Sequence, residues 1–198
     1  MNQKAVPPNR PSQPQIQLTE LSSSTQKMAQ ETKDILKTIR SLTGGLRSYP
    51  IRELVKEAED FGKYLKNQNV KTNQIRKFLD AINRVKIDLS QLYYSSELDF
   101  RGENLEEKIP ENFKGKISEI ETDIVMLKPK LAYGASRASK KSEEEALKKM
   151  EDVLSLAIDK IQTDIETVKH FQNFQLDFER LVNLIESIIA YHKEQGGE

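Results

Sequence analysis

The sequence predicts an all-α fold, a bundle of about five helices behind a disordered N-terminal extension, on three observations. Apolar residues recur at three- and four-residue spacing in long segments. Strand-like alternation is nearly absent. Charged residues reach 31% against 36% apolar, a balance that suits elongated amphipathic helices. With 198 residues the chain has room for one domain with a real core. The expected organisation is an extension over residues 1–45, weakly helical after residue 18, followed by a bundle domain over residues 46–195.

Pro7, Pro8, Pro11 and Pro14 among Gln and Asn suit an extended, unpacked tail over residues 1–17. Leu21, Met28, Ile35, Ile39 and Leu42 give a weak helical pattern that Gly44-Gly45 ends, a segment expected to order on a partner. SYPIRELVKEAEDFGKYLKN carries Ile51, Leu54, Val55, Ala58, Phe61 and Leu65 on one stripe, with Pro50 in its first turn. TNQIRKFLDAINRVKIDLSQL repeats the pattern through Ile75, Phe78, Leu79, Ile82, Val85 and Leu89, with Thr72 as its expected N-cap. The acidic stretch from Tyr93 to Lys116, interrupted by Gly102, Pro110 and Gly115, reads as a long connection. Residues 116–127 resume a helix through Ile117, Ile120, Ile124 and Leu127, and Pro129 either kinks it or starts another.

A further helix opens at SEEEALKKM, where Ser142 and Glu145 form a capping-box pattern. Leu147, Met150, Leu154, Ile158, Ile161, Ile165 and Val168 follow near-heptad spacing. The run Ile165, Val168, Phe171 is three plus three, so a break is expected between Thr163 and Gln172. A last segment carries Phe171, Phe174, Phe178, Leu181, Ile185 and Ile188 as core.

Composition excludes several functions. The absence of cysteine rules out disulfides, thiolate metal sites and a cysteine nucleophile. The proline-rich start lacks the apolar core of a secretory signal, and no run approaches the roughly eighteen apolar residues of a membrane span. A cytoplasmic protein without a membrane partner is expected. His170 and His192 are not at metal-ligand spacing with carboxylates, TGGLRS lacks the spacing of a phosphate loop, and no serine sits in a Gly-x-Ser-x-Gly elbow. No enzyme activity, cofactor or metal is expected.

The zero net charge conceals an asymmetry. Residues 142–198 hold 6 Lys+Arg against 13 Asp+Glu, and residues 1–141 hold 25 against 18. Association responds to local potential, so a neutral total does not exclude an anionic partner. The stretch LKPKLAYGASRASKK, residues 127–141, contains five basic side chains and no acid. Projected as one helix from Pro129, Lys130, Tyr133, Arg137, Lys140 and Lys141 fall within ~100° of each other, beside a packing seam of Leu131, Ala135 and Ala138. A solvated helix face usually carries i, i+4 ion pairs, and this stretch has no acid to supply them. Its self-repulsion points to an outside anion, for which cations along a helix can follow a phosphate chain. The helix from Thr72 is ambiguous. Arg76 with Asp80 and Arg84 with Asp88 are possible internal pairs, whereas Lys77 and Arg84 share an outward line near a helix start that attracts phosphate.

TNQIRKFLDAINRV, LKPKLAYGASRA and HFQNFQLDFERLVNLIESIIAYHK, in this order, resemble the small helical subunit of the type III-A CRISPR effector (Csm) complex over roughly residues 50–195. The middle motif is the most specific. The resemblance implies a non-catalytic bundle, stacked in several copies, whose basic face lines the channel holding guide RNA paired to target RNA. Nuclease and messenger-synthesis chemistry would belong to other subunits. It assigns RNA contact to Gln74, Arg76, Lys77 and Arg84 in the first motif. In the second it assigns Lys128, Lys130, Tyr133, Arg137, Lys140 and Lys141. The implied partners are the guide and target RNA backbones, the other Csm subunits and further copies of the chain. The competing reading is a helical adaptor that self-associates through the heptad-like helix Leu147 to Val168, with no nucleic-acid role.

Overall fold

The computed structural model describes residues 34–94 and 104–196, so the proline-rich tail lies outside the described residues. Among the described residues the principal helices are α1 Ile51–Asn67, α2 Thr72–Tyr94, α3 Glu111–Val125, α4 Leu127–Ser136, α5 Lys141–Ile158 and α6 Val168–Glu194. There is no strand among the described residues, and the all-α expectation holds. Helix α6 is the central member, since α1, α2 and α5 all pack on it, while α4 packs on α2, α3 and α5. The expected apolar stripes form the core: Leu54, Ala58, Phe61 and Leu65 of α1 face inward with Phe171, Phe174, Phe178, Leu181 and Ile185 of α6, all buried.

The closest approach is between α1 and α6. A Cβ at Gly62 would stand 2.9 Å from the backbone of both Ile188 and His192. Glycine is therefore required inside a helix, against its own poor helix propensity, because no neighbouring atom there is a yielding side-chain tip. At the far end of α6, His192 is fully buried. Its Nε2 lies 2.8 Å from the carbonyl of Val70, which can only accept, so this nitrogen carries the proton. The bare Nδ1 then accepts from the Thr72 hydroxyl at 3.3 Å. Burial and the nearby Lys66 charge hold the imidazole pKa below its ordinary value. Thr72 is the first residue of α2 rather than its N-cap, and its hydroxyl is spent on His192.

Several boundaries differ from expectation. Residues 34–41 are helical with Ile35 and Ile39 fully buried, while Leu21 and Met28 of the same expected segment lie outside the described residues. Helix α3 begins at Glu111, directly after Pro110, which shortens the connection that was read through Lys116. Helix α4 begins at Leu127, two residues before Pro129. The Pro129 ring would strike the carbonyl of Val125 and has no N–H to offer it, so α3 must end there. Pro129 then sits in the first turn of α4, where a missing donor costs nothing.

The remaining break lies at residues 159–167, starting earlier than the expected interval. Ile161 and Ile165 are buried in this link, off any helix. Its backbone groups pair with distant segments: Gln162 N–H with the Asp177 carboxylate at 3.0 Å, and the Glu166 carbonyl with the Ile109 N–H at 3.0 Å. Residues 105–109 run antiparallel to it through one bridge, Lys108 to Thr167. Thr167 caps α6, its hydroxyl accepting from the His170 N–H.

Gly62→Ala is expected to lower stability by about 1–3 kcal/mol despite alanine's better helix propensity, read as a lower urea midpoint at unchanged slope. His192 binds its proton less readily folded than unfolded, so its contribution is complete above its ordinary pKa of 6.5 and is lost as pH falls below that value. A His192→Gln variant should therefore show a flatter dependence of the urea midpoint between pH 7 and 5 than the parent chain.

Candidate nucleic-acid interface

Helix α4 is only ten residues long, and it presents two unlike sides. Leu127, Leu131 and Ala135 are buried against the bundle. Lys130, Tyr133 and Arg137, at i, i+3 and i+7, are exposed on the other side and form one ridge. The Arg137 guanidinium carbon lies 5.6 Å from the Tyr133 ring centroid, and its Nη1 donates to the Tyr133 hydroxyl at 3.4 Å. Lys128 is half-buried and ion-paired with Asp159, at the far end of the α4–α5 hairpin.

The basic stripe does not continue as one helix to residue 141, which corrects the projection from Pro129. Helix α4 stops at Ser136, the chain turns through Arg137 and Ala138, and α5 starts at Lys141 with Lys140 as its N-cap. The capping box is also displaced. Ser142 makes no cap, and Glu143, at the third helical position, accepts from the Ser139 N–H at 3.1 Å in place of Glu145. Glu145 instead lies at the outer limit of pairing with Lys141, 4.0 Å away.

Glu143 has a second partner, and it decides what surrounds the junction. Its Oε1 accepts from the Gln74 side-chain amide at 2.5 Å, while Gln74 Oε1 accepts from the Lys71 N–H at 2.8 Å. Both ends of the Gln74 amide are thus used within the fold, and its role is to hold the start of α2 against the α4–α5 turn. The two basic motifs, more than fifty residues apart in sequence, meet at this corner. Exposed Lys71, passed over in the sequence reading, belongs to it as well.

On α2, Arg76 and Arg84 are exposed, and neither expected pair, with Asp80 or with Asp88, forms among the described residues. The Lys77 side chain lies outside the described residues. Lys130 and Lys140 are exposed and have no acidic partner among the described residues. Of the ten expected contact residues, Gln74 and Lys128 are engaged internally, Lys141 loosely so, and Arg137 is oriented by Tyr133. Among the described residues no group of His, Asp and Glu is placed to hold a metal ion, and no helix is long and apolar enough to cross a membrane.

A family model described as Csm2 Type III-A matches residues 48–198, most of the chain. The chain belongs to the Csm2 type III-A family. It is accordingly a small subunit of a type III-A CRISPR effector complex, with other Csm subunits as its partners. No curated protein and no solved structure matches it. The matched span contains α1 to α6 whole, and with them the α4 ridge and the Gln74–Glu143 contact.

Glu143→Ala leaves the Ser139 N–H and the Gln74 amide without their acceptor, and should cost about 1–3 kcal/mol. Hydrogen exchange is expected to speed up at the start of α2 and at residues 137–141 more than in the α1–α6 core.

Proposed function

We propose that this subunit is non-catalytic and holds an RNA backbone, that of guide RNA paired to target RNA, on the α4 ridge and the adjoining start of α2. The observation that carries the reading is the set of exposed cations with no acidic partner among the described residues, Lys130 and Lys140 with Arg76 and Arg84, in a chain with as many acids as bases. Lys148, by contrast, is paired with Glu144 on the flank of α5. Phosphates supply the missing counter-charge. Contact of this type follows the strand without reading bases, since no basic side chain is mounted in a groove-reading motif.

A lone copy neutralises a few phosphates and binds weakly. Several copies stacked along one RNA gain through effective concentration, by about 100-fold or more. The adaptor alternative loses its surface: Leu147, Met150, Leu154 and Ile158 are buried in the chain's own core, so the heptad-like stripe is not available for self-association.

Fluorescence anisotropy with a single-stranded RNA across a salt series tests the reading. Lys130→Glu/Arg137→Glu should weaken binding and reduce the salt slope by about 1.4 or more, two phosphate contacts at roughly 0.7 each. Unchanged affinity and slope would mean that the ridge faces solvent in function as well.

A further inference from the structure

We propose that Tyr133 and Arg137 form a platform for one RNA base left unpaired where the held strand passes the α4 ridge, so that the ridge distinguishes an RNA with a free base from a bare phosphate chain; this rests on the RNA-backbone reading above. Tyr133 is 63% exposed, and no other aromatic ring of the described residues stacks on it. A tyrosine so placed has freedom to swing, yet this one is held. Arg137 stands at the hydroxyl end of the ring, its guanidinium carbon 5.6 Å from the centroid and its Nη1 bonded to the hydroxyl, which ties the side chain to the end of the helix. The exposed ring keeps its π-surface available to a ligand. The helix surface beside the ring is open at Gly134, where even an added Cβ would meet nothing within 4 Å.

The flanking charges suit a nucleotide. Lys130 lies about one helical turn before the ring and Arg137 about one turn after it, some 5.4 Å to either side along the axis. Both are within side-chain reach of the phosphates on either side of a base resting on Tyr133. Any base offers a π-face, so the platform tolerates sequence. The guanidinium at the hydroxyl end of the ring adds a positive charge beside the stacked base. A surface tyrosine with no ligand would be indifferent to whether a base is present, and this difference can be measured.

The full chain is titrated at low salt with two RNAs of equal length and charge, a 12-nucleotide oligouridine and the same backbone with its central residues abasic. The base-bearing RNA should bind about five- to 150-fold more tightly, the range that one stacked base contributes. Tyr133→Ala should bring the two affinities together, and Tyr133→Phe should keep them apart. The position is exposed, so circular dichroism serves to show that α4 is intact in both variants. Equal affinities in the parent chain, with both weakened by Lys130→Glu/Arg137→Glu, would overturn the platform and leave the backbone reading standing. A gap that persists in Tyr133→Ala would place the base contact elsewhere and also overturn it. No binding of either RNA would overturn both readings.

Discussion

A carboxylate with no solvent exposure sits in the middle of the longest helix, and the arrangement of the bundle follows from accommodating it. Asp177 lies on α6 next to Phe178 and one turn beyond Phe174, on the stripe that faces the core. Burial pushes its carboxyl pKa up, and donors from Arg47 and Gln162 oppose the shift. The Arg47 N–H donates at 2.6 Å, the Arg47 guanidinium at 2.7 Å and the Gln162 N–H at 3.0 Å. A buried charge is tolerable only with such satisfaction. Three segments must therefore converge on one point: the turn before α1, the link between α5 and α6, and α6 itself. Gly45 makes the convergence possible. Its φ of +81° lies in a region reserved for glycine, and a Cβ there would stand 2.7 Å from the carboxylate.

The same corner explains two features that helix propensity does not. Lys160 donates to the carbonyls of Arg40 and Leu42, and its own carbonyl accepts from the Leu46 N–H. The chain before α1 is thereby fastened to the link after α5. That fastening keeps Ile35 and Ile39 in the core. A second, half-buried network joins Tyr49, Glu57 and Thr38, with Tyr49 and Thr38 each donating to a different oxygen of Glu57. Burial raises the pKa of both the Tyr49 phenol and the Glu57 carboxyl, which favours their protonated forms.

A similar device joins the starts of α2 and α5. Glu143 joins the start of α5 to Ser139 and to Gln74, and through them two lengths of basic chain share one corner. Net charge is not informative here, because it sums over the whole chain while association responds to the potential of one patch. What remains exposed and unpaired on the ridge is positive. A surface so divided is suited to a polyanion that touches only one part of the molecule.

Periodicity in the sequence determined the helical class, the core residues of α1, α2 and α6, and the exposed cations of the ridge, because each depends on spacing within one element. Pro129 and the basic run after it were likewise legible, although the helix start and the unbroken stripe to Lys141 were misplaced. The break after Ile158 carried no glycine or proline, and the roles of Gln74, Glu143 and Asp177 carried no periodic signal. One clue existed for Asp177, a charge on an apolar stripe. These features belong to the tertiary structure for a physical reason. They satisfy buried donors and acceptors, and the partners lie as far apart as Arg47 and Asp177, 130 residues. Local spacing fixes which face of a helix is apolar, whereas only the folded chain decides which polar groups meet behind it.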